Sequence, residues 1–308
     1  MPEPSPTKLI YITGYGRSGS TLLDIALGQH RHVLGSGEVG ALTRHVWAND
    51  EYCACGQRVR SCRLWAEAVT AWDGDNRYLQ SQRRTEGLIS WRRLLPLRQF
   101  RMQTARLFQN LARQSGRPIV VDSSKLPGRG LALASNPSLE LYAVHLVRDP
   151  RAVVWSMRKA FKQQVDAGLQ KELQPKPLLY SAARWMLVNL GAEALRMKVG
   201  RQQSLRVRYE DFVAAPAETV ERVLQLVGER PDDGPDGLLR PLEPHHQVAG
   251  SRHRMQKKLT IRMDERWQAE MSVAKQWMVA LCCAPLLLRY GYPWRPQQAA
   301  SAKEALAS

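Results

Sequence analysis

The chain has 308 residues, 44% of them apolar, which is length enough for one large α/β domain with a continuous core. No stretch reaches the roughly 18 uncharged apolar residues that a membrane span needs, and five cysteines, an odd number, argue against a disulfide framework and for thiols in a reducing compartment. Lysine plus arginine number 45 against 28 aspartate plus glutamate, leaving +17; a nucleotide, an acidic glycan, an anionic lipid surface and nucleic acid would all be attracted.

The N-terminus, MPEPSPTKLIYIT, passes from a Pro-rich tip into a β-type stretch without a basic or apolar leader, so a cytoplasmic location is expected. Leu9 to Thr13 reads as a strand, GYGRSGS as a loop and Thr21 to Gln29 as a helix. Further apolar strands are expected at Pro118–Asp122, Leu141–Val147 and Leu205–Tyr209, each ending in polar residues. Between them, Leu97, Phe100, Thr104, Leu107 and Leu111 make a helical stripe, and Tyr180 to Met197 is a long helical candidate. Continuous apolar strands alternating with helices predict a parallel sheet whose carboxyl ends line the ligand crevice. Residues 229–245 read as a surface loop and 296–308 as a flexible tail.

Glycine-rich backbone between a strand and a helix N-terminus builds an anion cradle, so a phosphate or sulfate belongs at Gly16 to Leu22. The loop lacks the lysine of GxxxxGK[ST]; Arg17 precedes the second turn instead. At the end of the third strand, Asp149 is a good N-cap and Pro150 suits the first helical position. That puts Arg148 at the strand end and Ser156 two turns along, where one phosphate can meet both side chains.

Here the sequence resembles the sulfotransferases that use 3′-phosphoadenosine 5′-phosphosulfate (PAPS), in particular their bacterial, tyrosylprotein-sulfotransferase-like branch. Arg17, Ser18, Gly19, Ser20 and Thr21 fit the family's 5′-phosphosulfate loop, and Arg148 before Asp-Pro-Arg, with Ser156 eight positions on, fits its 3′-phosphate site. The Tyr209-Glu210-Asp211 segment resembles a family motif whose tyrosine lies near the nucleotide; a tyrosine packing at a sheet edge explains it as well. Gly250, Ser251 and Arg254 resemble a late Gly-Asn-x-x-Arg segment that closes over the 3′-phosphate, with Ser251 in place of the usual Asn, and Arg252 and Arg254 are placed to supply charge-assisted hydrogen bonds.

The resemblance covers residues 8 to about 40, 118–160 and 204–255. It implies a single α/β domain over residues 1–295, with a central parallel sheet of four or five strands flanked by helices, P-loop NTPase-like, and an acceptor-side insertion at about 41–117. It also implies PAPS as donor, the bisphosphate PAP as product, no required metal, and an acceptor hydroxyl on a carbohydrate, a lipid or a small natural product. The rivals are an ATP-dependent P-loop kinase, which lacks its lysine here, and a basic nucleic-acid-binding protein, which explains the charge but not the ordered anion motifs.

Sulfonyl transfer needs a cation at the leaving oxygen, a donor for the sulfonyl oxygens and a base at the acceptor. Arg17 suits the first role. Lys125, which resembles a family lysine or histidine after the second strand, suits the second or the third. Glu38, in GSGEVG, resembles a family Gly-Glu and is the preferred base, a helix-capping acid being the alternative.

Cys53, Cys55 and Cys62 suggest a metal knuckle, but a fourth ligand is missing at zinc-finger spacing and His45 is the only near candidate, so packing thiols are expected. The segment resembles a Cys-x-Cys-Gly stretch of bacterial sulfotransferases, and the resemblance implies a place in the acceptor-side insertion. Nine arginines between Arg83 and Arg117 read as a solvated helix face, or as a guide toward an anionic inner membrane surface or an acidic or lipid-linked acceptor. The acceptor's identity and the oligomeric state are not legible in the sequence.

Overall fold

The computed structural model describes residues 6–73, 97–160, 174–231 and 242–297. Five strands, β1 (Thr7–Thr13), β2 (Val33–Gly35), β3 (Ile119–Lys125), β4 (Leu139–Val147) and β5 (Ser204–Arg208), form one sheet in the order β2-β3-β1-β4-β5. Every pairing is parallel: Leu9 lies opposite Val120 on one side of β1 and Leu141 on the other. The expected parallel sheet is present, with β2 as the fifth strand.

Leu9, Ile10, Tyr11 and Ile12 are all fully buried, because both faces of the sheet are covered. Leu9, Tyr11, Val120 and Leu141 join a core with α3 (Arg63–Trp72), α4 (Leu97–Ser115) and α5 (Pro127–Leu133). Ile10, Ile12, Val121 and Val144 face α1 (Ser20–Leu27) and α9 (Pro216–Leu226). A third cluster lies beyond the β4 end, where α6 (Pro150–Met157), α7 (Leu178–Val199), α10 (Arg266–Glu270) and α11 (Val273–Arg289) meet. Burying each such side chain contributes about 1.5–3 kcal/mol, so the sheet's carboxyl edge is a rigid base for loops.

Phe100, Thr104, Leu107 and Leu111 are buried on α4 as the stripe predicts, while Arg98, Arg106 and Arg113 stand in solvent. That is the solvated-face arrangement; the arginines before residue 97, like most of the 229–245 loop and the tail past 297, lie outside the described residues. Tyr209 does not end a strand: β5 stops at Arg208, and Tyr209 opens α8 (Tyr209–Ala214), with Glu210 and Asp211 in its first turn, where acids suit the helix dipole. Among the described residues no helix is long and apolar enough to cross a membrane.

Candidate functional site

The loop from β1 to α1 is held where only glycine fits. Gly14 has φ +131, and a Cβ there would stand 2.2 Å from the Leu146 carbonyl oxygen of β4. Gly19, the N-cap of α1, has φ +88 and lies flat against Tyr209, whose Cδ2 would be 2.6 Å from an added Cβ. Arg17 itself is left-handed, at φ 69. The Ser18 hydroxyl is buried and has no hydrogen-bond partner. An anion at the helix N-terminus would satisfy it.

At the end of β4, Arg148 joins three segments. Its Nη1 donates to the Arg17 carbonyl at 3.1 Å, its Nη2 donates to the Asp264 carbonyl at 2.8 Å, and its guanidinium lies 4.2 Å from the centre of the Tyr209 ring. Its Nε is buried without a partner. The Asp-Pro-Arg segment after it is self-locking: Asp149 caps α6 by accepting from Arg151 N–H at 2.8 Å and pairs with the Arg151 guanidinium at 2.6 Å. Asp149 N–H donates to Glu210, and burial raises the Glu210 carboxyl above its usual range despite that bond. A cleft opens beside Arg148, lined by Tyr209, Glu210, Asp264, Trp267 and Tyr292. Ser156 is half-buried on α6.

Glu38 and Lys125, 87 residues apart, form an ion pair. Each comes from a segment fixed by the end of β3. Asp122, fully buried and paired with Arg129 at 3.0 Å, accepts from Val39 N–H at 3.2 Å, and the Ser124 hydroxyl accepts from Gly40 N–H at 2.8 Å. These bonds hold the Glu38 turn, which leads into a short helix, α2 (Val39–Ala41), against the sheet. Glu38 N–H donates to the Val248 carbonyl at 2.8 Å, and Val248 N–H donates to that of Ser36 at 3.1 Å, so the strip 248–252 runs beside it. From that strip, Ser251 N–H donates to the Thr21 hydroxyl at 3.2 Å. An added Cβ at Gly250 would lie 3.0 Å from that hydroxyl and 3.4 Å from Glu38 Oε1. Arg17 belongs to the same group: burial, then Arg252 beside it, lowers its pKa, and Glu38 opposes that.

The structure therefore gathers Arg17, Ser18, Gly19, Thr21, Glu38, Lys125, Arg148, Tyr209, Gly250 and Ser251 around one end of the sheet. Arg254 lies deeper, close enough for the Glu38 carboxylate to act on its charge. It is fully buried under the strip and donates to the Tyr52 carbonyl at 2.8 Å, on the insertion side. Three of the four non-glycine residues with positive φ among the described residues, Arg17, Lys125 and Ala249, sit in this group, a concentration of strain common at working sites.

The family model for the Sulfotransferase family matches residues 10–233, well over half of the chain. The chain belongs to the sulfotransferase family. Human carbohydrate sulfotransferase 3 is 27% identical over 170 residues, which are 52% of this chain and 35% of that protein, so the match spans about a third of the relative's length. The sulfotransferase domain of the Synechococcus PCC 7002 olefin synthase superposes with a TM-score of 0.56 at 20% identity, covering 95% of this chain and 98% of that domain. The sulfotransferase domain from the curacin biosynthetic pathway gives 0.55 at 17% identity, with 94% and 99% covered. At these identities the two structures share the fold. Membership of this family favours the sulfotransferase reading over the P-loop kinase.

Proposed function

We propose that this sulfotransferase takes its sulfonyl group from PAPS and delivers it to an alcohol hydroxyl, with Glu38 as the base. The observation that carries the proposal is the Glu38–Lys125 ion pair standing beside the anion-cradling loop, with Gly250 and Thr21 at its edge. The residues present suit such a donor. Ser18 Oγ and Arg148 Nε are buried donors without partners, and the segments that carry them follow the adjacent strands β1 and β4.

Bound there, the donor supplies an activated S–O bond, and the protein's work is to place charge around it. Backbone N–H groups of the Gly16–Leu22 loop, with Ser20 and Thr21, hold the 5′ group, while the Arg17 guanidinium, which stays protonated, stabilises the leaving phosphate oxygen. Arg148 and Ser156, with Ser251 and Arg252 from the strip, hold the 3′-phosphate, and Tyr209 stacks beside them. Glu38 accepts the proton as the acceptor oxygen attacks sulfur in line. Lys125 orients Glu38 and donates to the sulfonyl oxygens. A base in hydrogen-bond reach contributes typically 10²–10⁴-fold.

The acceptor hydroxyl belongs to a carbohydrate, a lipid or a small natural product, and the first class is supported by the resemblance to a carbohydrate sulfotransferase. The test is turnover with radiolabelled PAPS against panels of these three classes. Label appearing on an acceptor, with stoichiometric PAP, supports the reading. Turnover with ATP and magnesium but none with PAPS overturns it.

A further inference from the structure

The fold brings a fourth ligand to the three cysteines of the insertion. Sγ of Cys53, Cys55 and Cys62 and a ring nitrogen of His246 all lie within 4.8 Å of one another. His246 Nδ1 stands 3.4 Å from Cys62 Sγ and 3.9 Å from Cys53 Sγ. Four donors on a tetrahedral ion with metal–sulfur and metal–nitrogen bonds of about 2.3 and 2.0 Å are about 3.5–3.8 Å apart, and the two His246–cysteine separations fall within about 0.4 Å of that range. His45, the histidine nearest in sequence, is not part of this group; its Nδ1 lies against Glu51 at 2.8 Å.

The backbone around the four residues is shaped to hold them. Cys53 and Cys55 lie on a tight turn, in which Cys53 N–H donates to the Gln57 carbonyl and Gly56, with φ +86, donates to the Cys53 carbonyl. Cys62 returns through a bond from its N–H to the Arg58 carbonyl at 2.8 Å. His246 is tied in on both sides: its carbonyl accepts from Trp65 Nε1 at 2.8 Å, and the next carbonyl, of Gln247, accepts from Ala54 N–H at 3.0 Å.

The charge balance also fits. Arg254 is fully buried, is bonded to the carbonyl of Tyr52 next to Cys53, and keeps Nε and Nη2 unpartnered. A divalent ion with three thiolates and a neutral imidazole carries a net charge of −1, and one buried guanidinium beside it compensates that charge.

We propose that Cys53, Cys55, Cys62 and His246 bind one zinc ion in a closed, structural Cys₃His site. Thiolates and imidazole in tetrahedral array select zinc, and four protein ligands leave no position for a substrate. The cysteine thiols give up their protons on binding. The site clips the insertion to the segment that leaves His246 toward Val248, the residue hydrogen-bonded to Glu38. It therefore acts as a positioning element for the strip 248–252 and does not take part in the chemistry.

The experiment is metal analysis of the full-length, untagged protein, purified without chelators. The expected result is about one zinc per chain, retained in Cys282→Ser and lost in Cys62→Ala and in His246→Ala. Because those variants remove buried groups and can misfold, the wild-type chain is also stripped with a mercurial and a chelator and titrated with cobalt(II). One equivalent giving the visible bands of tetrahedral thiolate-bound cobalt, with recovery of the original unfolding temperature, supports the site. Zinc below about one-tenth of an ion per chain together with no cobalt bands, a disulfide among the three cysteines, or full zinc in a folded His246→Ala variant overturns it.

Discussion

Arg148→Ala tests the assignment of the 3′-phosphate site. In the folded chain the guanidinium makes two hydrogen bonds, to the carbonyls of Arg17 at 3.1 Å and Asp264 at 2.8 Å, and stacks on Tyr209 at 4.2 Å. Its Nε is a buried donor in want of an acceptor. One or two charge-assisted bonds to a phosphate, at about 1.5–3 kcal/mol each, make the expected loss in PAP affinity about 2–4 kcal/mol, or roughly thirty- to thousand-fold. Arg148→Lys keeps the charge but not the planar fork, so it recovers only part of that loss. Titration calorimetry is done in parallel with adenosine 5′-phosphosulfate, which lacks the 3′-phosphate. Arg148→Ala should leave that ligand's affinity within a few-fold of wild type. An equal loss for both ligands would mean that Arg148 only braces the Arg17 loop, and a loss of under threefold for PAP would refute the assignment.

Three other outcomes follow from the same geometry. Glu38→Gln should lower kcat by 10²–10⁴ with PAP affinity unchanged, whereas Lys125→Met should lower kcat and also leave Glu38 without its partner; wild-type turnover in Glu38→Gln would end its role as base. Gly19→Ala places a Cβ 2.6 Å from the Tyr209 ring at φ +88, which costs about 2 kcal/mol or more, a fall of about 3 °C or more in Tm, and weakens nucleotide binding; a calorimetric scan of unchanged Tm contradicts this. Burial holds the Asp24 carboxyl, which accepts from Gly37 N–H at 3.0 Å, up at about 7 against an ordinary 3.8. A carboxyl whose pKa is raised on folding keeps its proton while the unfolded chain loses it. Stability therefore declines as pH rises from about 4 to about 7, by up to about 4 kcal/mol, and is flat above that. Denaturant titrations of Asp24→Asn should show a shallower pH slope; an identical slope would assign the dependence elsewhere.

Much of this site was legible because strand ends and glycine loops have local signatures. Arg17 to Thr21 and Arg148 with Asp149-Pro150 announce a turn and a capped helix within a few residues, and the apolar runs before them mark the two central strands. What was missed is non-local or short. Strand β2 is three residues, Val33–Gly35, too few for a period to show. Asp122 and Ser124, which anchor the Glu38 turn, look like the polar end of any strand until the sheet sets them opposite Val39 and Gly40. His246 is 184 residues from Cys62, so no spacing rule reaches it. Asp264, which accepts from Arg148, sits in a stretch without motif or periodicity. The ends of β5 and α8 traded Tyr209 because a β-prone aromatic was followed by two acids suited to a helix start. Arg254 matches the arginine of a Gly-Asn-x-x-Arg segment, but its full burial is visible only in three dimensions.

The most direct test of the donor assignment is thermal unfolding of the purified chain with PAP, with ATP plus magnesium, and with neither. A ligand at 100 times its Kd adds about 2.7 kcal/mol, which for a chain of this size raises Tm by about 4 °C. A rise of that order with PAP alone, cut to about 1 °C or less in Arg148→Ala at the same concentration, is the predicted result. No rise with PAP, or a larger one with ATP and magnesium, would contradict a site built for PAPS.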